Sequence, residues 1–190
     1  MPEKFTEIEL RILELKVKKH SFLERLIEGG KFEVKLLSVV SDGVPDHTFN
    51  LELGIFPIRD EGSIDFGPYG YALYRNRAGQ IPRYLDCHIA VIEDNSGIRS
   101  MAKLMAEIRK TDDFKNLTNI LALASINPAL KIGLNVAEAI LNIGLNILQQ
   151  KKDKVWLRQY FTFNYKIDGY EGDYEFESDD VKLKIELITA

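Results

Sequence analysis

The chain has 190 residues, of which 45% are hydrophobic and 28% are charged, as expected for a globular domain that buries its own core. Its net charge of -4 disfavours a nucleic-acid-binding protein, which would carry a basic surface. The single cysteine, Cys87, excludes an intrachain disulfide, and the acidic N-terminal segment does not resemble a signal peptide. We therefore expect one domain over residues 1–190 and a cytoplasmic location.

Alternation of apolar and polar residues predicts a series of strands in the first half of the chain. In the first strand, over residues 8–19, either Ile12 or Leu13 can lie on the apolar side. The continuous apolar run 87–92 is typical of a central strand, because both faces of such a strand are buried. The remaining strands of this half are predicted at 31–40, 47–56, 63–66, 71–77 and 83–93.

From about residue 97 to residue 150 the hydrophobic period changes to 3.6 residues, which predicts helices. Thr111 is a favourable N-cap for one helix, and Asn127 followed by Pro128 is a favourable start for another, which would end near Gln150. This last helix is unusually apolar, and Gly144 would let another element approach closely. We interpret the helix as packed on two sides within the fold. An interface with a partner or a second copy, and a membrane-active hairpin, are the alternatives.

Strand patterns return after the helices, at 154–165 and at 181–188. The acidic stretch between them, 168–180, is predicted to be a solvated hairpin loop, because its spacing does not fit a calcium-binding EF-hand. Many short strands at close spacing favour a sandwich of two sheets. The predicted fold class is therefore α+β, an antiparallel β-sandwich with a helical insertion at about 97–150 inside a single domain.

Common catalytic motifs are absent from the sequence: it contains no G-x-S-x-G, H-E-x-x-H, C-x-x-C, G-x-G-x-x-G or Walker A motif. Cys87 and His88 are neighbours in a predicted strand, so their side chains point to opposite faces and cannot form a nucleophile–base pair. We predict no catalytic residues and expect that the protein is not an enzyme.

Two segments resemble parts of C2 domains. The first, GKFEVKLLSVVSDGVPDHTFNLEL, is an apolar strand followed by a loop with spaced aspartates, and the second, YLDCHIAVIEDN, is a strand that ends in acids. The resemblance implies a C2-like sandwich whose loops meet at one end and hold calcium, which prefers six to eight oxygen ligands. The candidate ligands that it implies are Asp42, Asp46, Glu93 and Asp94.

Two other interpretations of the second loop stay open. One of Asp94, Asn95 and Ser96 could cap the helix that follows. The helical insertion, which starts at this loop, could also replace the metal site of a C2-like protein.

These patterns favour a non-catalytic binding or interaction module that docks on a protein or membrane partner, without nucleic acid and with calcium as an optional ligand. The alternative is a structural or assembly subunit, in which the apolar helical insertion packs against a partner or a second copy. The two hypotheses differ in what the helix 128–150 contacts.

Overall fold

The computed structural model describes residues 7–18, 31–42, 50–59, 62–76, 82, 84–95, 98–126, 136–164 and 171–189. Two antiparallel sheets and three helices make up this part of the chain. The strands are β1 (Ile8–Val17), β2 (Lys31–Ser41), β3 (Asn50–Arg59), β4 (Ser63–Asp65), β5 (Tyr71–Arg75), β6 (Tyr84–Glu93), β7 (Lys154–Asn164), β8 (Gly172–Glu177) and β9 (Val181–Thr189). The helices α1 (Met101–Ile108), α2 (Asp112–Ile126) and α3 (Val136–Gln150) lie between β6 and β7 in the chain.

The two sheets face each other and a helical layer covers one of them. The outer sheet has the order β4-β1-β9-β8, and β5 pairs with the other half of β1. The inner sheet has the order β3-β2-β6-β7. Its central strand β6 is buried along most of its length, as the apolar run 87–92 predicts. The α+β sandwich with helices inserted between two strands is thus confirmed.

One hydrophobic core fills the space between the sheets. Alternate residues of the strands point into it, since successive side chains of a strand point to opposite faces. In β7 the register with β6 shifts at Trp156, so both Trp156 and Leu157 belong to this core. The outer sheet contributes Ile8, Leu10, Ile12, Leu15, Val17, Leu73, Val181, Leu183, Ile185 and Leu187, and the inner sheet contributes Val34, Leu36, Val40, Leu85, Cys87, Ile89, Val91, Trp156, Leu157 and Phe163.

A β-bulge in β1 determines whether Ile12 or Leu13 lies on the buried side of the strand. The register with β9 shifts between Ile12 and Glu14, so Leu13 is the extra residue. Ile12 is fully buried before the bulge and Leu15 after it, whereas Leu13 is only half-buried. Because of the bulge, the apolar residues of β1 before and after Leu13 all face the same core.

Aromatic side chains close the two sides of the sandwich where the edge strands meet. On one side Phe56 lies edge-on to Phe66 and to Tyr71, at centroid distances of 5.0 and 5.2 Å. On the other side Phe161 of β7 stacks on Phe176 of β8 at 5.0 Å. These contacts join the outer sheet to the inner sheet beyond the limits of the central core.

The helices begin at capping side chains. The Ser100 hydroxyl accepts a hydrogen bond from the amide of Lys103 and caps α1. The interpretation that one of residues 94–96 caps this helix is therefore wrong, although Ser96 itself lies outside the described residues. The Thr111 hydroxyl accepts from the amide of Phe114 and caps α2, as predicted. The predicted start of the last helix at Asn127 lies outside the described residues.

Helix α3 packs on two sides within the chain, as predicted. It lies against β2, β6 and β7 of the inner sheet and against α1 and α2. A Cβ added to Gly144 would come within 3.1 Å of the Leu37 side chain, so the small residue sets how closely the helix approaches the sheet. The second core between helices and sheet contains Leu37, Val39, Ala90, Ile92, Ile98, Leu104, Ile108, Ala137, Ile140, Leu141 and Leu148.

The acidic stretch 168–180 is not only a loop. Residues 172–177 form β8, the edge strand of the outer sheet, with Tyr174 and Phe176 against the core. The charged residues that alternate with these aromatics are exposed to water. In the part of the chain that the structure covers, no helix has the length and apolarity that crossing a bilayer requires.

Candidate functional site

The predicted calcium ligands that the structure describes lie at opposite ends of the inner sheet. Strands β2 and β6 are antiparallel, with Val34 opposite Glu93 and Ser41 opposite Asp86. The seven-residue advance from one end to the other corresponds to about 24 Å of antiparallel strand. Asp42 directly follows Ser41 and is therefore far from Glu93, so the two side chains cannot share one ion.

Each predicted ligand that the structure describes has its own surroundings. Asp42 is buried and accepts a hydrogen bond from the hydroxyl of Tyr74 at 2.9 Å. Glu93 and Asp94 are at the other end of the sheet, and Asp46 lies outside the described residues. Among the residues that are described, no group of three or more His, Cys, Asp or Glu side chains is arranged to hold a metal ion. Calcium binding stays a prediction, which a thermal melt in millimolar calcium and in chelator tests.

The cation beside Asp94 is a lysine of the same chain. Lys35, in the middle of β2, is fully buried, and its Nζ lies 2.5 Å from Asp94 Oδ1 and 2.7 Å from Asp153 Oδ2. The carboxylate side chains are also buried, at 2% and 0% exposure. We call Lys35, Asp94 and Asp153 the buried ion cluster.

Three chain segments bring this cluster together. Lys35 is on the helix-side face of the inner sheet, next to Ile92 of β6. Asp94 follows β6 where the chain leaves the sheet, and its amide still donates to the carbonyl of Glu33. Asp153 stands where the chain returns from α3 to β7. The cluster therefore joins both ends of the helical insertion to the centre of the sheet.

The backbone at the end of α3 fixes the position of Asp153. Lys152 has a positive φ of 75°, and its amide donates to the carbonyl of Gln149. The amide of Asp153 donates to the carbonyl of Leu148, which completes a Schellman-type helix end. The side-chain carboxylate of Asp153 then turns toward the sheet, where Oδ1 accepts from the amide of Asn95 at 2.6 Å.

The sequence holds a weak signal for this cluster, which our prediction missed. Period two places Lys35 on the same strand face as Leu37 and Val39, both of which are buried. A charged residue on an otherwise apolar face needs a buried partner, since an unpaired buried charge is costly. The pattern does not identify that partner, because Asp94 and Asp153 are distant in sequence.

A second polar group lies on the same face of the inner sheet, at the end away from the cluster. The Thr162 hydroxyl donates to Asp86 Oδ1 at 2.7 Å and lies 2.6 Å from the Tyr160 hydroxyl. The Tyr160 ring in turn packs on His88 with 4.5 Å between ring centroids. We call Asp86, His88, Tyr160 and Thr162 the polar row.

The polar row is open to solvent although it continues a face that helices cover elsewhere. Tyr160 is 51% exposed, whereas His88 beneath it is buried. Next to Tyr160 along the face, Arg158 lies 3.6 Å from Glu138 of α3, and both side chains are about half exposed. The edge of the helical layer thus runs directly beside the polar row.

Cys87 and His88 point to opposite faces of the sheet, as the alternation predicts. Cys87 lies in the core between the sheets, and His88 belongs to the polar row on the other face. Burial raises the pKa of the Cys87 thiol well above its usual value, with the nearby charge of Asp86 as a smaller cause. The thiol therefore stays protonated and unreactive in the folded protein.

Comparisons with known proteins add no relative from which a role could be transferred. A scan against protein-family models gives no match, and a search of the curated proteins gives none either. The function is therefore inferred from the geometry of the molecule.

Proposed function

We propose that the protein is a non-catalytic interaction module that binds a protein partner through the polar row. The observation that carries the proposal is the exposure of Tyr160, at 51%, on a sheet face that the helices otherwise bury. A sandwich of two antiparallel sheets supports the C2-like interpretation as well, and the free, buried Cys87 suits a reducing compartment such as the cytoplasm.

The composition of this surface supports the proposal that it binds a protein. Tyrosine and arginine are enriched among the residues that dominate binding energy, because each combines a large contact area with hydrogen-bonding groups. Here Tyr160 and Arg158 lie side by side on β7. The Tyr160 ring is held by His88 and its hydroxyl by Thr162, so little side-chain entropy is lost when a partner binds.

The charges around Tyr160 favour a protein over a membrane as the partner. Asp86 lies beside Thr162 on one side of Tyr160, and Arg158 lies beside Glu138 on the other, so the described part of this surface has no excess of positive charge. Anionic lipid surfaces attract clusters of Lys and Arg. A mixed set of charges is instead typical of complementary pairing with another protein.

The helical insertion is less suited to the alternative, an assembly subunit. Most of the apolar side chains of α3, from Ala137 to Leu148, are already buried against the inner sheet and the other helices. A role in self-association stays a prediction, and it is one of the outcomes that the following experiment distinguishes.

Site-specific photo-cross-linking tests the proposal. A photoreactive phenylalanine analogue replaces Tyr160 in one variant and Tyr69 in a matched control, because Tyr69 is another exposed tyrosine, at 83%. We expect one discrete adduct at position 160 and none at position 69. The partner identified in this adduct, once purified by itself, should then bind the wild-type chain. The substitution Tyr160→Ala should weaken that binding by roughly 30-fold, whereas Tyr69→Ala should not change it.

Other results would point elsewhere. An adduct between two copies of the chain, with a matching dimer in gel filtration, would support the assembly subunit. Sedimentation with phosphatidylserine vesicles that depends on Tyr160 would support a membrane partner. Equal effects of the Tyr160 and Tyr69 variants on binding would contradict the proposed surface.

A further inference from the structure

The buried ion cluster places an amine against two carboxyl groups in a site without solvent exposure. Lys35 Nζ lies 2.5 Å from Asp94 and 2.7 Å from Asp153, and all three side chains are at most 2% exposed. Carboxylates and lysines this deeply buried are rare, because removing charges from water is costly. Ion pairing is one way to lower that cost, and covalent condensation is another.

We propose that Lys35 and Asp94 form an amide bond within the folded chain, with Asp153 as the proton carrier. The structure then shows the reactants before condensation. The reaction is a single self-modification, so it is compatible with a module that turns over no substrate.

The proposed step is balanced without any further reagent. One proton passes from the Lys35 ammonium to the Asp94 carboxylate, which leaves an amine and a carboxylic acid. The Nζ lone pair attacks Asp94 Cγ, and Asp153 takes a second proton from the nitrogen. Asp153 returns this proton to the departing Asp94 hydroxyl, the C–O bond breaks, and water leaves. The product is a secondary amide, and the Asp153 carboxylate is regenerated.

Three features of the cluster favour this reaction. The reactants are held in contact by the sheet register, and well-oriented intramolecular reactions reach effective concentrations of roughly 10⁵–10⁸ M. The site excludes the solvent that would otherwise hydrolyse the product. Condensation also replaces two desolvated charges by a neutral amide, and the Asp153 carboxylate that remains keeps its hydrogen bond from the amide of Asn95.

The hydrogen bonds assign different roles to the two carboxyl groups. Asp153 is held at both oxygens, since Oδ1 accepts from the amide of Asn95 at 2.6 Å and Oδ2 from Lys35. A carboxylate oriented in this way is suited to accept and return a proton. Asp94 meets Lys35 through Oδ1, which brings its Cγ next to the nucleophile. We therefore assign Asp94 as the acyl group.

The product would fasten the insertion to the sheet. Asp94 follows β6 at the point where the chain departs toward α1, and Lys35 lies in the neighbouring strand β2. A covalent link between them would hold the start of the insertion to the centre of the inner sheet even if the helices were to separate from it.

Intact mass spectrometry of the denatured wild-type chain tests the proposal directly. We expect a mass lower than that of the sequence by one water molecule. Tryptic peptides should include a branched species that joins Lys35 to Asp94, and cleavage after Lys35 should be lost. The full sequence mass after long incubation of the folded protein would overturn the proposal, and a branch on Asp153 would overturn the assignment of roles.

Two variants distinguish a loss of amide formation from a loss of the folded structure. Asp153→Asn keeps the shape and a hydrogen-bonding group but cannot carry the proton, so we expect the full sequence mass in a chain whose circular dichroism shows that it is folded. Loss of water in that variant would overturn the role of Asp153. The matched control is Lys182→Met, because Lys182 pairs with Glu175 at 2.8 Å on the exposed face of the outer sheet. It should lose water as the wild type does, and a full mass there would overturn the assignment to Lys35.

Discussion

The two sheets present opposite kinds of outward face, although both faces contain lysines paired with acids. The solvent-side face of the outer sheet carries cross-strand ion pairs, among them Arg11 with Glu186 and Lys182 with Glu175. The helix-side face of the inner sheet is apolar under the helices, and Lys35 is the charged residue that enters it. A lysine paired with an acid is thus exposed to water on one face and fully desolvated on the other.

The difference shows that burial from water, and not pairing alone, decides what an ion pair contributes to stability. Exposed pairs contribute little, because water and salt screen them and their side chains lose entropy. A buried pair is not strongly stabilising overall, yet the removal of one partner leaves an uncompensated charge and is very costly. Lysines of the two faces should therefore respond very differently to the same substitution.

The largest expected effect is that of Lys35→Ala. The change leaves the Asp94 and Asp153 carboxylates buried without a cation, and it also prevents the proposed amide from forming. We expect a loss of about 3–5 kcal/mol in the free energy of unfolding. Urea unfolding followed by circular dichroism measures it.

The control for this prediction is Lys182→Ala on the exposed face. Its urea midpoint should not change measurably, since the pair with Glu175 is open to water. Similar losses in the free energy of unfolding of the two variants would show that solvent exposure does not decide how much each lysine contributes.

Two Ile→Ala substitutions, one on each face, compare the burial of the two faces without a change in charge. Ile140 of α3 is fully buried in the core between helices and inner sheet, whereas Ile188 of β9 is half-buried on the solvent-side face. Ile140→Ala should cost about 3 kcal/mol, because it leaves a cavity. Ile188→Ala should cost about 1 kcal/mol or less. Chemical denaturation of both variants tests the ratio, and equal costs would mean that the helices add little burial.

A substitution at Gly144 tests how tightly the helical layer packs on the sheet. The added side chain of Gly144→Val would meet Leu37 across a gap that a single Cβ already narrows to 3.1 Å. We expect a loss of about 1–3 kcal/mol from overpacking. The double variant with Leu37→Ala should recover part of this loss. If it recovers none, Leu37 is not the contact that limits the approach of α3.

Much of the fold can be predicted from local patterns, and β8 shows where this stops. Most strands lie within a few residues of their predicted bounds, because period two is visible in a short window. In β8 the same alternation is present, with Tyr174 and Phe176 inward and Asp173, Glu175 and Glu177 outward. The density of acids led to the prediction of a loop, although a solvated edge strand favours charged residues for the same reason.

The sites could not be predicted, because they depend on which strands are neighbours. The loops after β2 and β6 lie at opposite ends of the sheet, since these strands are adjacent and antiparallel. This separates Asp42 from Glu93 whatever the local sequence resembles. The buried ion cluster depends on the same register and on the end of α3, which bring together positions 35, 94 and 153. A single sequence contains no local pattern for such contacts.

The smallest expected effect concerns Glu177, which pairs with Lys18 at 2.6 Å on the edge of the outer sheet. The hydrogen bond from Lys18 and its charge lower the pKa of Glu177 below the usual 4.5. The unfolded chain binds more protons between these two pKa values, so the contribution to stability is present above pH 4.5 and is lost as the pH falls through the folded pKa. An NMR titration of the Glu177 carboxyl should show the lowered pKa in low salt. It should show a value near 4.5 in Lys18→Met, and also in concentrated salt, because an exposed pair is screened. A pKa that does not respond to salt would mean that this face is less hydrated than its exposure indicates. The difference in hydration between this ion pair and the buried ion cluster would then be smaller than proposed.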